Sequence, residues 1–521
     1  MKKIGFKNFR RFVKLEPLEL GEITLMVGKN NSGKSTIVKA LLLVLDYLRN
    51  QQKDTFSFAS EVLNDANIVT YERALCQNSE SGFIDFHFEI EDYSVEISLW
   101  PEEDADYTFA NVHTVKITDE KNKIDFLFDH VSEFVRISKQ VSYAVGEMAI
   151  EIVIDNIRES VIKYKKELEG VSKTSREGLN LINQINLLNM RLDELESRPR
   201  RTNDTEIKYN LDYPLKDFTI ASTEESPLEE MVSDFLSRNH DLRVFYIGKR
   251  EDSSVLVNEE NEQFEQINAI DADRHNIKNS ISKFVNLLNT KKVFYLGANP
   301  SKQSALFYLR DKQNALGQAI HQFYQLKIQK GQPEYIFVEK WMKRFEIGDT
   351  FDINFISGEA YECFIKNGDV ETHLADMGMG SLQLMQLFFK IATMLRHFKA
   401  ETKGINLIVE EPELNLHPAL QSELADFFFE INDEFGIKFI VETHSEYIIR
   451  RTQVLGLKNG LFTTQETNPN PFTVYYFHLT EGPYQMNYTA EGKFDRSFDG
   501  GFTNVATNST KEMLKLNRHV R

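Results

Sequence analysis

Eight consecutive residues carry the clearest chemistry in this chain. Gly28-Lys29-Asn30-Asn31-Ser32-Gly33-Lys34-Ser35 reads G-x-x-x-x-G-K-S. The two glycines let the backbone curl so that its N–H groups aim at phosphate oxygens. A helix opening near Lys34 adds the positive end of its dipole. The Lys34 ammonium would reach the β- and γ-phosphates, and the Ser35 hydroxyl would hold Mg²⁺. Thr36 follows in the first helical turn. The spacing predicts a phosphate cradle for ATP and Mg²⁺.

Three further clusters suit the same chemistry. The apolar run Leu407-Ile408-Val409 ends in Glu410-Glu411. Acids at the C-terminal end of a strand sit where open α/β sheets bind ligands. Glu410 is assigned to Mg²⁺ through water, and Glu411 to the general base that polarises an attacking water. A second apolar strand, Phe439-Ile440-Val441, runs into Glu442-Thr443-His444-Ser445. His444 is placed beside the γ-phosphate, to sense it and orient the water. Finally, Asp376-Met377-Gly378-Met379-Gly380-Ser381-Leu382-Gln383 is a glycine-rich turn feeding a helix to about His397. Gly378, Gly380, Ser381 and Gln383 form a second helix-N-terminal anion site in this reading.

Such groups need a sheet to position them. Ile23 to Val27 reads as a strand ending at the glycine-rich loop, and Thr36 to Leu48 as the helix after it. Ile4 to Phe9 alternates like a strand, and residues 83–99 alternate like a half-exposed antiparallel hairpin. Val293 to Leu296 reads as a strand and Ala315 to Ile328 as a helix. Further along the chain, Ile154, Ile157, Val161, Tyr164 and Leu168 are spaced as a heptad seam. Leu181, Ile185, Leu188, Leu192 and Leu195 repeat that spacing. Two such helices predict either an antiparallel hairpin, ended by Arg198-Pro199-Arg200-Arg201, or two amphipathic helices lying on a core. Residues 202–280 show weak periodicity and read partly as loop.

Composition bounds the rest. The chain has 521 residues and a formal net charge of −18, which implies more than one compact unit. Two cysteines, Cys76 and Cys363, exclude a disulfide framework and a multi-cysteine zinc module. No run of 18 apolar residues and no apolar leader segment are found, so a cytoplasmic protein without membrane partners is expected. The charge is uneven. Residues 223–274 hold 14 acids against 5 bases, whereas the first fourteen residues hold six bases and no acid. The acidic stretch reads as a solvated insertion or a docking surface.

In this order the four motifs resemble the ABC-type ATPase head of the SMC/RecF/OLD-like group. IGFKNFRRF with LMVGKNNSGKST resembles the opening of that group. IVEEPELNLHP resembles its Walker B and D-loop, VETHSEYIIRR its switch-histidine segment, and LADMGMGSLQL its degenerate signature. FYLGANP and YTAEGKFDRSFDGGF are similar to segments of bacterial ATPases of this type. The resemblance implies an α/β, two-lobed P-loop head with an inserted helical hairpin. The resemblance covers about residues 1–145 and 290–521; with the heptad and acidic stretches read above, the chain divides into 1–148, 149–201 (arm), 202–290 (acidic insertion) and 291–521. The resemblance further implies that two heads sandwich ATP, with Gly380 and Ser381 meeting the γ-phosphate held by a second copy. The chain departs from the pattern in Glu410, where many relatives carry Asp, and in lacking a full LSGGQ. Gln77 is the candidate for the Q-loop.

The resemblance implies ATP binding and hydrolysis by a homo-oligomer, a dimer or higher. No Asp-x-Asp follows His444, and Asp271-Ala272-Asp273 lies in the acidic stretch, so an internal nuclease is not expected. The expected role is the sensor or scaffold of a bacterial anti-phage defence system that gates a separate effector, a nuclease or toxin. The alternative is a RecF/SMC-like DNA repair or chromosome-maintenance ATPase. Nucleic acid, if bound, would contact the basic first strand or Arg198, Arg200 and Arg201.

Overall fold

Burial alternates along the residues whose hydropathy alternates. In the computed structural model, Ile84–Ile90 and Tyr93–Pro101 are neighbouring strands, and every second side chain of Ile84–Ile90 is buried. The structure describes residues 1–50, 54–58, 68, 70–101, 108–144, 157–158, 160–168, 170–171, 176–196, 204–214, 277, 279–298, 304–311, 314–462 and 469–498. The acidic stretch 223–274, Ile154 and Arg198 to Arg201 lie outside these residues. The chain divides into two units, and each is taken by itself.

The first unit comprises Met1–Glu91, Val95–His113 and Asn286–Arg521. Its centre is a six-stranded sheet. The spatial order is Lys292–Leu296, Ile405–Glu410, Lys438–Thr443, Ile23–Gly28, Phe472–His478 and Gly482–Met486. The first five run parallel, and the last returns antiparallel. Ile23–Gly28 is buried at every position, as a central parallel strand covered on both faces must be. Lys3–Phe9 pairs antiparallel with both Phe12–Glu19 and Ile84–Ile90 in a second sheet. Phe307–Tyr308, Thr350–Ile356, Ala360–Asn367 and Val370–His373 make a third.

Helices Ala315–Gln325, Pro333–Arg344, Met379–Phe398 and Pro418–Phe435 share one apolar core with the parallel sheet. Trp341, Phe388 and Phe427 are fully buried within it. Asp426, on Pro418–Phe435, is buried yet charged. It accepts two hydrogen bonds from Arg451, at 2.6 and 2.9 Å, and lies 3.4 Å from Arg344. One carboxylate thereby ties helix Pro333–Arg344 and helix Glu446–Lys458 to its own. Asp426→Ala should cost about 2–4 kcal/mol, because two arginines lose a shared partner that water replaces poorly. A fall in the apparent melting temperature of the purified chain checks this; an unchanged melting curve contradicts it.

The second unit comprises Asp92–Ser94 and Thr114–Val285. Ile124–Asp129 pairs antiparallel with Phe134–Ala144. Phe134–Ala144 pairs in turn with Asp204–Pro214, residue for residue from 144↔204 to 134↔214. The start of the weakly periodic 202–280 region thus forms a strand. Between these paired strands in sequence lies Arg176–Glu196, a 21-residue helix of about 30 Å. Ile157, Val161 and Ile185 form a buried cluster, joined by Tyr164, Leu168, Leu188 and Leu192. Seven of the ten heptad positions read from sequence therefore meet in one seam.

Candidate nucleotide-binding site

The glycine-rich loop lies between strand Ile23–Gly28 and helix Lys34–Asn50. Two of its residues need glycine. Gly28 has φ of +151°, and a Cβ there would lie 2.6 Å from the carbonyl oxygen of Phe477. Gly33 has φ of +104°, and a Cβ there would strike the Phe12 ring at 2.4 Å. Asn31 is also left-handed, at φ +60°. Lys29, Asn30 and Asn31 are exposed, while Ser32, Lys34 and Thr36 are buried.

The Lys34 ammonium donates to the carbonyls of Gly28 (3.2 Å) and Lys29 (3.0 Å) and stands 3.8 Å from Glu442. Its pKa is lowered by burial, with Glu442, Glu411 and Glu413 opposing that shift. A buried ammonium resting on loop carbonyls can exchange them for phosphate oxygens when these enter the cradle.

The acids converge from the neighbouring strands. Glu410 and Glu442 are register partners across Ile405–Glu410 and Lys438–Thr443. The Tyr295 hydroxyl donates to Glu410 at 3.0 Å. Burial holds the Glu410 pKa above its ordinary value. Glu411 sits at φ +45°, an uncommon conformation for a residue with a side chain. Its N–H donates to the Glu442 carbonyl at 2.7 Å. Its carboxylate lies 3.3 Å from His444 Nε2, which lowers the Glu411 pKa. His444 is fixed in turn through its backbone N–H, which donates to buried Glu413. The ligand atoms of Glu411, Glu442 and His444 lie within 4.8 Å of one another.

The signature segment meets this cluster from its own chain. Helix Met379–Phe398 begins just after Gly378. The Gln383 amide donates to the Glu411 carbonyl at 2.9 Å. A Cβ on Gly380 would lie 2.7 Å from the Asn415 carbonyl, so the helix start presses on the turn after Glu411. Ser381 is half-buried in the first turn. Gln77 is exposed in a turn.

Sequence reasoning gave no role to Glu442, Tyr295 or Glu413. The Ser35 hydroxyl donates to Glu442 at 2.9 Å, which makes Glu442 the acid bonded directly to the glycine-rich loop motif. Its position two residues before His444, at the end of an apolar strand, was the available signal.

The donors suit magnesium. Glu410 Oε1 and Glu442 Oε2 are buried oxygens without hydrogen-bond partners among the described residues, and Glu442 also accepts from the Ser35 hydroxyl. Hard oxygen ligands of this kind are what Mg²⁺ takes.

A family model described as AAA ATPase domain matches residues 1–449. No curated protein matches the chain. Among solved structures it is similar to the Smc head domain of Pyrococcus furiosus with an extended coiled coil, bound to the C-terminal domain of ScpA. That likeness has 13% identity over 99% of each chain and a TM-score of 0.33. It is similar also to the Smc head domain of Pyrococcus yayanosii with a coiled coil and joint, at 12% identity, 94% of this chain, 97% of that one and a TM-score of 0.35. The SMC head domain of Thermotoga maritima follows at 11% identity, 91% and 94% coverage and a TM-score of 0.29. The family match, not these distant likenesses, carries the kinship. No helix among the described residues is long and apolar enough to cross a membrane.

Proposed function

This chain belongs to the AAA ATPase domain family, and from that premise we propose that it binds ATP with Mg²⁺ and hydrolyses it to ADP and phosphate. The observation that carries the reading is convergence. The glycine-rich loop, Glu411 and His444 lie at the same ends of adjacent parallel strands, with Glu411 and His444 3.3 Å apart.

Lys34 and the loop N–H groups from Gly28 to Ser35 bind the phosphates, and Thr36 extends the helix N-terminus behind them. Ser35 and Glu410 would hold Mg²⁺, which supplies charge neutralisation on the phosphate oxygens. Glu411 accepts the proton of the attacking water, and His444 holds that carboxylate in place. The test is phosphate release from ATP by the full chain, with and without EDTA. Release that persists in EDTA or is absent throughout would overturn the reading.

The signature residues Gly378, Gly380 and Ser381 would meet ATP held by a second copy, making the working unit a homodimer or higher. Gln383 also links that segment to the base. Gln383→Leu should lower the hydrolysis rate by about 10- to 100-fold, through misplacement of Glu411, while nucleotide affinity stays near wild type. Equal losses in rate and affinity would contradict this.

The biological output proposed is that of a cytoplasmic sensor or scaffold in anti-phage defence, gating a separate nuclease or toxin. Its support is the resemblance of LADMGMGSLQL to the degenerate signature of OLD-like ATPases, together with the short arm. The seam between the two arm helices is short, built from Ile157 to Leu168 and Ile185 to Leu192. Hydrolysis stimulated by duplex DNA and falling steeply with salt would favour the repair reading instead. Co-purification of an effector protein, with hydrolysis indifferent to DNA, would favour defence.

A further inference from the structure

Glu442 stands closer to the glycine-rich loop motif than the acid assigned to the metal. Its strand, Lys438–Thr443, lies between the strand of Glu410 and the strand that enters the loop. Register pairing puts Glu410 and Glu442 side by side. Glu442 is only 5% exposed. One of its oxygens accepts from Ser35 at 2.9 Å, and the other is buried without a partner among the described residues.

A structural role would be simple orientation of Ser35 by a hydrogen bond. Two observations exceed that role. A neutral side chain would serve as acceptor, whereas here an acidic group is buried beside two more, Glu410 as its register partner and Glu411 in the same cluster. The nearest ammonium, Lys34 at 3.8 Å, is already engaged by the carbonyls of Gly28 and Lys29. Phosphates entering the cradle would draw it further from Glu442. A divalent cation bound between Ser35 and the paired acids resolves both problems. It neutralises the clustered carboxylates and takes up the orphaned oxygen.

We propose that Glu442 is a ligand-side residue of the Mg²⁺ site, acting with Ser35 and Glu410 as a second acid from the neighbouring strand. The inference rests on the nucleotide reading above and deepens it. With Mg²⁺ bound, Ser35, Glu410 and Glu442 would supply the oxygen donors that hold it.

The test measures binding rather than turnover. A fluorescent, non-hydrolysable ATP analogue is titrated into the full chain in EDTA and at increasing Mg²⁺, for wild type, Glu442→Gln and Glu442→Asp. The expected result is that Glu442→Gln needs at least tenfold more Mg²⁺ for the half-maximal rise in affinity. Glu442→Asp, which keeps the charge, should recover part of the loss. A half-maximal Mg²⁺ concentration within twofold of wild type in Glu442→Gln overturns the proposal and leaves Glu442 as an orienting group. So does an equal loss of affinity with and without Mg²⁺ in both variants. A wild-type chain that binds no nucleotide fails the parent reading, and this one with it; a wild-type chain that binds without any Mg²⁺ effect fails this one alone.

Discussion

Replacing Lys34 with alanine should abolish measurable nucleotide binding while the chain stays folded. The Lys34 ammonium is almost fully buried, at 2% side-chain exposure, and it is the cation closest to Glu442 in the cradle. Phosphate oxygens entering the loop would replace its present carbonyl partners, Gly28 and Lys29, with charged ones. Charge-assisted bonds of that kind, made away from water, are the strong ones. Truncating one side of such a buried charge pair costs roughly 2–5 kcal/mol, about 30-fold or more in affinity. The variant loses a second contribution as well. Without Lys34, the carboxylates of Glu442 and Glu411 face the phosphates with no intervening positive charge, so the cradle becomes repulsive. Equilibrium titration with a fluorescent ATP analogue reads the effect, and circular dichroism verifies the fold. Undiminished affinity would remove the glycine-rich loop from the nucleotide site.

How much of this site is legible in the residues depends on whether the information is local. The glycine-rich loop is a contiguous spacing, and Gly28 and Gly33 take the backbone conformations that the spacing demands. Glu410, Glu411 and His444 are legible because each follows an apolar run, and a run marks a strand end without any knowledge of its neighbours. Glu442 ends such a run too, but its meaning depends on strand order. Only the insertion of Lys438–Thr443 between the Glu410 strand and Ile23–Gly28 brings Glu442 against Ser35. Strand order is set by packing across more than 400 residues of sequence and leaves no local mark. The same holds for Gln383. It sits in a helix start that reads as an anion site for another molecule, yet its amide is bonded to the Glu411 carbonyl of its own chain.

Asp204–Pro214 is a strand within the stretch of weak periodicity. Ile207, Tyr209, Leu211 and Tyr213 alternate with polar residues, the period of a half-buried strand. The heptad spacing is legible over a longer span. Spacings of three and four repeat over enough residues to stand out, and the buried cluster of Ile157, Val161 and Ile185 follows from them.

Glu411→Gln should nearly stop hydrolysis while preserving nucleotide binding. Glutamine keeps the shape of glutamate and can still bond to His444, but it cannot accept a proton from water. General bases of this type contribute on the order of 10²- to 10⁴-fold, so the rate of phosphate release should fall within that range. Affinity should hold, because Glu411 is not among the loop donors and its backbone contacts survive the change. Its N–H still donates to the Glu442 carbonyl, and its carbonyl still accepts from Gln383. The backbone at φ +45° is equally accessible to glutamine, so the local strain is unaltered. If two copies close over ATP, blocked hydrolysis leaves them closed. Light scattering should then show ATP-dependent oligomers in the variant that persist after wild-type oligomers have decayed. His444→Ala serves as the companion change. It removes the partner that holds the Glu411 carboxylate and lowers its pKa, so it should slow hydrolysis less than loss of the base itself. A Glu411→Gln chain that releases phosphate at the wild-type rate would exclude Glu411 as the base.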